Sequence, residues 1–181
     1  MSNETTGLAL AKYELRRVAQ TRRTFVNWPT LLRQMVGEKV GRGDAELEFV
    51  TRSGVRISAP NVPGARLPLY EQYADDCYRL RDLLARFQGR PLSVFDVGAH
   101  IGSFATNVAS LHDQARIECF EPSRQSAEYL RRNVSQNGFA QRINVHEVAL
   151  ADHEGSALFD DNDGGSVHNG LVQEDRRLVE G

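Results

Sequence analysis

The sequence has few of the features that mark secreted, membrane or nucleic-acid-binding proteins. It has two cysteines in 181 residues, and both lie among apolar neighbours, so we expect buried thiols in a reducing, cytoplasmic setting. No apolar run approaches the ~20 residues that cross a bilayer, and the polar N-terminus lacks the layout of a secretory signal. Lys and Arg number 22 against 24 Asp and Glu, so we expect neither a nucleic acid nor a membrane as partner.

Metal-binding and nucleophile motifs are absent as well. The five histidines show no paired ligand spacing. The acidic segment 160–165 fails as a calcium loop, because the twelfth position of an EF-hand that begins at Asp160 or Asp161 holds Leu171 or Val172 instead of Glu. We therefore expect a plain loop there and predict no metal site. No Ser/His/Asp or Cys/His arrangement can be read from the spacing, so the catalytic residues are unknown.

Residues 1–90 are predicted to form a helical and β-hairpin lead-in. The hairpin has the clearest signal: between residues 46 and 60, two runs of alternating apolar and polar residues flank Ser53-Gly54. Apolar residues recur at helical spacing elsewhere in this half, and a Pro-Gly-rich stretch separates the hairpin from the last helical segment. The predicted helices cover 8–18, 28–36 and 73–87, with a loop at 61–68.

Residues 91–181 alternate between short apolar runs and amphipathic segments. The first apolar run is nearly continuous, as in a strand that is buried on both faces of a parallel sheet. Strand, helix, strand, helix and strand in this order predict the first half of a doubly wound, Rossmann-like α/β sheet with about three parallel strands. The predicted strands are 92–97, 117–120 and 143–150, and the predicted helices are 104–111 and 123–137.

The turn after the first of these strands carries the chemistry. In open α/β sheets, ligands bind just outside the carboxyl ends of the strands. Gly98 permits a sharp bend and the close approach of a ligand, and Gly102 lets the next helix begin close to the sheet. Glu121 ends the second strand, where a carboxylate can accept hydrogen bonds from both hydroxyls of a ribose. The glycine turn and Glu121 together predict an adenosine-bearing ligand.

The spacing within this turn separates two candidate ligands. A dinucleotide-binding turn has the pattern G-x-G-x-x-G and holds a diphosphate at the helix N-terminus. Here the pattern is D-x-G-x-x-x-G, with Ala99 and His100 where a second glycine would admit the diphosphate. Asp96 repels phosphate but accepts a hydrogen bond from an ammonium group. These features favour S-adenosylmethionine, whose sulfonium and amino groups are cationic, and an NAD-dependent oxidoreductase is the alternative.

Three motifs lie at strand ends or just after them. They are Asp-Val-Gly-Ala-His-Ile-Gly at 96–102, Phe-Glu-Pro at 120–122 and Val-Ala-Leu-Ala-Asp at 148–152. These motifs resemble the FkbM family of class I, S-adenosylmethionine-dependent O-methyltransferases, and the similarity extends over roughly residues 24–172. The resemblance implies transfer of a methyl group to a hydroxyl, often on a sugar or another natural-product small molecule, with that molecule as the partner.

The resemblance also implies roles for individual positions. Asp96, Gly98 and Gly102 would frame the methionine end of the cofactor. Glu121 would bind the ribose, and the segment after the third strand would border the adenine. Tyr78 is a candidate lid over the cofactor. The predicted cofactor-binding residues are Asp96, Gly98, Ala99, His100, Gly102, Glu121, Pro122, Ala149, Asp152 and Tyr78.

The chain departs from the family after the third strand. The family continues into a fourth strand that ends in an acidic residue and then into three more strands, whereas this sequence stops at Gly181. We therefore expect a C-terminally truncated version in which one edge of the first strand is bare. A further alternative follows: a non-catalytic fragment that keeps the fold and associates, for example as a homo-oligomer, through this open edge.

Overall fold

The structure is a computed structural model that describes residues 2–152, 155, 159–160 and 170–171. The described helices are α1 (Ser2–Thr24), α2 (Trp28–Lys39), α3 (Pro63–Tyr73), α4 (Leu80–Ala85), α5 (Ser103–Leu111) and α6 (Arg124–Gln136). The described strands are β1 (Glu46–Val50), β2 (Arg56–Pro60), β3 (Leu92–Val97), β4 (Ala115–Phe120), β5 (Ile143–His146), β6 (Phe159–Asp160) and β7 (Gly170–Leu171). Among the described helices, none combines the length and the apolar character needed to cross a membrane.

The predicted β-hairpin is confirmed. β1 and β2 are antiparallel, in the register that places Val50 opposite Arg56. Gly54 lies in the turn with a φ of 89°, a left-handed conformation that favours glycine. Apolar positions of the alternating pattern, such as Phe49 and Ile57, are fully buried, so the alternation marks the inward face of the hairpin.

An aromatic cluster joins the hairpin to two helices of the lead-in. The rings of Phe25 and Phe49 meet edge to face with centroids 5.1 Å apart, and Tyr70 of α3 meets Phe25 in the same way at 5.7 Å. Phe25 lies between α1 and α2 and is fully buried. Edge-to-face packing is a favourable geometry for aromatic pairs, so these rings fix the break between α1 and α2 against the hairpin.

The loop predicted over 61–68 is wrong. Helix α3 begins at Pro63, because proline at the first turn has no helical N–H to lose. Ala65 and Leu69 are fully buried, so burial of one helix face decides the local structure. Pro68 lies inside this helix, where it removes one backbone hydrogen bond but does not end the helix.

The single helix predicted over 73–87 is also wrong. The chain leaves the helical conformation after Tyr73, and Asp76 and Arg79 take up left-handed backbone with φ of 45° and 50°. The Asp76 carboxylate accepts a hydrogen bond from the backbone N–H of Leu80 at 2.8 Å. Such a local side-chain bond competes with continued helix, so α4 starts afresh after the break.

The parallel α/β arrangement is confirmed. β3, β4 and β5 are parallel and lie in that order, so that β3 is at an edge of the described sheet. Val108 of α5, Ile117 of β4 and Leu130 of α6 belong to one buried cluster. Ser123 caps α6 as predicted, because its hydroxyl accepts a hydrogen bond from the N–H of Ser126 at 3.2 Å.

The expectation that the first strand is buried on both faces is wrong for the described residues. Alternate side chains of β3 are exposed, and Phe95 and Val97 expose 67% and 61% of their surface. On this face the ring of Phe95 stacks on Phe120, and Phe120 stacks on His146. The described sheet is therefore covered on one face only.

The third strand is shorter than predicted. β5 ends at His146, and both Val148 and Leu150 are exposed, so the apolar residues after His146 do not continue the strand. The acidic segment 160–165 lies outside the described residues, apart from Asp160, which belongs to β6. The expectation of a loop there stays a prediction.

The core of the lead-in and the core of the parallel sheet each contain side chains from the other part of the chain. Ile101, in the turn after β3, packs in the core of the hairpin, and Leu80 and Leu84 of α4 pack in the core of the sheet. The two-part division at residue 90 stays a prediction, and the two predicted parts hold each other in place.

Candidate functional site

A cavity of about 720 Å³ lies at the carboxyl ends of β3 and β4. Ligand sites in open α/β sheets occupy this position, and cavities of this size hold small molecules. The wall opposite the strand ends comes from α3, from the break before α4 and from the first turn of α5. The predicted site residues that line the cavity are Tyr78, Asp96, Gly98, Ala99, His100, Glu121 and Pro122.

The two glycines of the turn have different surroundings. Both are left-handed, with φ of 76° at Gly98 and 83° at Gly102. A Cβ at Gly98 would meet no atom within 4 Å, so the space beside it is open to a ligand. A Cβ at Gly102 would lie 2.2 Å from Cδ1 of Leu130 in α6. Gly98 therefore gives access to the cavity, whereas Gly102 allows the turn to pack closely against α6.

The backbone N–H groups of the turn are used within the protein. Those of Gly98 and Ala99 donate to the carbonyl oxygen of Phe120 at 2.9 and 3.1 Å. That of His100 donates to Oε2 of Glu121 at 2.7 Å. A turn that binds a diphosphate presents such N–H groups to the ligand. These three donors point to Phe120 at the end of β4 and to Glu121, the residue after it, which weighs against a dinucleotide.

Glu121 is held rigidly at the end of β4. Its side chain is buried, with 6% of the residue surface exposed. Its Oε1 accepts a hydrogen bond from the N–H of Ser123 at 2.9 Å, and its Oε2 accepts the one from His100. Each carboxylate oxygen has a second lone pair, so Glu121 can still accept hydrogen bonds from two hydroxyl groups of a ligand.

Asp96, at the end of β3, has an unmet hydrogen-bonding capacity. Its Oδ2 is buried and has no hydrogen-bond partner within the described part of the chain. Burial raises the pKa of Asp96 from 3.8 to about 6, and the negative charge of Glu121 contributes to this rise. A hydrogen bond from the backbone N–H of Ala105 acts in the opposite direction. A buried acceptor without a donor needs an explanation, and a cationic donor from a ligand supplies one.

The far side of the cavity is apolar and partly aromatic. Tyr78 and Phe104 meet edge to face with ring centroids 5.7 Å apart, and Leu83 lies beside them in the cavity wall. Tyr78 is 61% exposed and sits in the break between α3 and α4, and its role as a lid over a ligand stays a prediction.

Sequence reasoning missed several residues of this wall. Phe104 follows the glycine turn directly, and its closeness in sequence to that turn was the one available signal. Gln72 of α3 and Leu83 of α4 carry no signal, because the sequence predicts a loop over 61–68 in place of α3 and one helix over 73–87 without the break before α4. Both line the cavity.

Three predicted site residues are not brought to the cavity. Gly102 is buried against α6. Ala149 and Asp152 are exposed and do not line the cavity, because β5 ends at His146 and the chain beyond it leaves the sheet. Among the described residues, no group of three or more His, Cys, Asp and Glu side chains is arranged to hold a metal ion.

Comparison with known families and curated proteins gives a limited result. No family model matches the chain, so membership of the FkbM family stays a prediction. The chain is similar to the AMB antimetabolite synthetase AmbE of Pseudomonas aeruginosa, with 28% identity over 127 residues. That match covers 70% of this chain and 6% of AmbE, so the chain spans a small part of the curated protein.

Comparison with solved structures gives partial likenesses. TYW2 of Pyrococcus horikoshii in complex with MeSAdo has a TM-score of 0.49 and 16% identity, covering 66% of this chain and 47% of TYW2. A SAM-dependent methyltransferase from Agrobacterium tumefaciens has a TM-score of 0.46 and 15% identity, covering 57% and 32% of the two chains. StiE O-MT has a TM-score of 0.37 and 21% identity, covering 50% and 33%. This chain spans less than half of each solved protein.

Proposed function

We propose that the chain binds S-adenosylmethionine at the ends of β3 and β4 and provides the cofactor-binding part of a methyltransferase. Two observations together carry this proposal. The buried Oδ2 of Asp96 has no donor among the described residues, and the N–H groups of the glycine turn donate to Phe120 of β4 and to Glu121. A ligand with a cationic amino group and no diphosphate fits both observations.

The residues present fit the parts of this cofactor. Asp96 is the acceptor for its cationic methionine end, and the free lone pairs of Glu121 accept the ribose hydroxyls. Gly98 leaves room beside the turn for the cofactor. When bound, S-adenosylmethionine supplies an activated methyl group. The protein contributes alignment and exclusion of water, which provide much of the rate gain in such a displacement.

The proposed acceptor is a hydroxyl group on a sugar or another natural-product small molecule. Two observations support this finer proposal: the resemblance of the motifs at 96–102 and 120–122 to O-methyltransferases, and the similarity to AmbE, a synthetase of an antimetabolite. A general base would help to deprotonate the hydroxyl, and no residue of the chain is assigned to that role.

A titration distinguishes this proposal from the dinucleotide alternative. Isothermal titration calorimetry of the whole chain with S-adenosylmethionine, S-adenosylhomocysteine and NADH is the direct test. We expect saturable binding of the first two and none of NADH. Binding of NADH alone would establish the oxidoreductase alternative, and binding of none of the three would overturn the cofactor assignment.

A further inference from the structure

The lead-in reaches the glycine turn through a buried side chain of α6. Asn133 is fully buried, and its Nδ2 donates to the carbonyl oxygen of Ile101 at 2.8 Å and to that of Ser58 at 3.0 Å. Its Oδ1 accepts from the N–H of Ser58 at 2.8 Å. One amide group therefore joins strand β2 of the hairpin to the turn that borders the cavity.

A second buried contact reaches the next carbonyl of the same turn. The hydroxyl of Thr106 in α5 lies 2.6 Å from the carbonyl oxygen of Gly102 and 2.9 Å from the hydroxyl of Tyr73 at the end of α3. Because Thr106 donates to the carbonyl, Tyr73 donates to Thr106. Burial raises the pKa of the Tyr73 hydroxyl, so it remains protonated and able to donate.

The turn is thus held on two sides by different parts of the chain. Its N–H groups at 98–100 are held by β4 and Glu121. The carbonyl oxygen of Ile101 accepts from Asn133. That of Gly102 accepts from the Thr106 hydroxyl, which Tyr73 contacts in turn, and from the Thr106 N–H at 3.0 Å. β4 belongs to the sheet, whereas the second set of contacts leads back to the hairpin and α3. The conformation of the turn therefore depends on the lead-in as well as on the sheet.

We propose that Asn133 and the pair Tyr73–Thr106 are positioning residues for the ligand of this cavity, so that the lead-in forms part of the binding machinery. This inference rests on the proposed function. None of the three residues lines the cavity, so they act through the backbone of the turn. A displaced turn would move Gly98 relative to Glu121, and binding depends on the distance between them.

The chain offers a matched control for Asn133. Asn137 directly follows α6, four positions after Asn133, and bonds the same strand: its Oδ1 accepts from the N–H of Arg56 at 2.8 Å, and its Nδ2 donates to the Arg56 carbonyl at 2.6 Å. Within the described contacts, Asn137 has no bond to the glycine turn. Its Nδ2 also donates to the backbone carbonyl of Asn133 at 2.7 Å. Loss of the Asn137 amide therefore weakens the attachment of the hairpin and leaves the bond from the Asn133 side chain to Ile101 in place.

The experiment compares Asn133→Asp with Asn137→Asp in the whole chain. Each substitution keeps the side-chain shape and replaces the amide donor with a carboxylate, which is fully buried at position 133 and half-buried at position 137. Thr106→Val adds no charge and serves as the second test. The measurements are Kd for S-adenosylhomocysteine by calorimetry, at a temperature where circular dichroism shows both variants folded, and Tm for each. We expect Asn133→Asp to weaken binding by about tenfold, the equivalent of one or two buried hydrogen bonds, and Asn137→Asp to change Kd less than about twofold.

Two further variants test the positioning role if Asn133→Asp does not fold. Thr106→Val removes the hydroxyl bond to the Gly102 carbonyl and the bond from Tyr73, while the N–H of residue 106 still donates to that carbonyl at 3.0 Å. Tyr73→Phe removes only the bond from Tyr73 to the Thr106 hydroxyl, so we expect Thr106→Val to raise Kd more than Tyr73→Phe. Folded Asn133→Asp or Thr106→Val protein that binds as tightly as the wild type would overturn the inference while the proposed function stands. Failure of the wild type to bind would overturn the proposed function, and the inference with it.

Discussion

The ends of β3 and β4 each present a carboxylate to the same cavity, yet the two carboxylates differ in their hydrogen-bond partners. Glu121 accepts two backbone hydrogen bonds. The Oδ2 of Asp96 is buried and has no partner in the part of the chain that the structure describes, and burial raises the pKa of Asp96 to about 6. The first arrangement stabilises the fold, and the second costs free energy in the absence of a ligand. Such a contrast is expected where one carboxylate, here Glu121, holds the site in place and the other, here Asp96, binds the ligand.

Glu121→Ala should have the largest effect, since it removes an acceptor from two N–H groups at once. We expect unfolding to become easier by about 3 kcal/mol, which lowers Tm by roughly 6–12 °C for a chain of this size. Thermal melts followed by circular dichroism measure this. A melting temperature equal to that of the wild type would show that Glu121 does not hold the turn.

Asp96→Asn should separate stability from binding. Because the folded-state pKa of Asp96 lies above its unfolded value, the ionised carboxylate destabilises the folded chain, fully so above about pH 6. We expect Asp96→Asn to raise stability at pH 7.5 by about 1 kcal/mol, while Kd for S-adenosylhomocysteine rises more than about tenfold. Urea titration and calorimetry give the two quantities. A variant that loses stability and retains affinity would contradict the ligand role of Asp96.

The pH dependence of binding should identify the same carboxylate. A cationic ligand prefers ionised Asp96, so affinity should fall by about tenfold between pH 7.5 and pH 5, as the group protonates around its pKa of about 6. His100 also lines the cavity, and the Asp96→Asn variant therefore serves as the control. Its profile should be nearly flat over this range. An equally steep profile in that variant would assign the dependence to another group.

Gly98→Ala should have the smallest effect on stability. The left-handed backbone at Gly98 disfavours alanine by about 1 kcal/mol, and the added Cβ meets no protein atom. It does enter the space beside the turn, so we expect Kd to rise several-fold. Gly102→Ala is the comparison, since its Cβ would meet Leu130 and should lower Tm more. The reverse order of the two melting temperatures would show that the turn packs differently.

Much of this site could be predicted from the sequence because its parts have local signals. The hairpin follows from alternation around Ser53-Gly54, and the glycine turn and Glu121 follow from short apolar strands that end in special residues. The two strand ends lie together in the structure because parallel strands present their carboxyl ends at one edge.

Other features depend on which groups a side chain meets once the chain has folded, and the sequence pattern carries no signal of these contacts. α3 forms around an internal Pro68 because Leu69 and Ala65 fill the core. The helix expected across Tyr78 is interrupted because Asp76 bonds the backbone of Leu80. The different treatment of Asp96 and Glu121 depends on which N–H groups each carboxylate meets, and residue type and spacing do not determine this.

The break between α3 and α4 has an evolutionary consequence. It contributes Tyr78 to the cavity from a stretch outside regular helix, while the opposite wall is built from hydrogen-bonded strand ends. Substitutions and small insertions in surface segments of this kind disturb folding little. Related proteins with this scaffold can therefore vary which molecule enters the cavity opposite the strand ends and keep Asp96 and Glu121 unchanged.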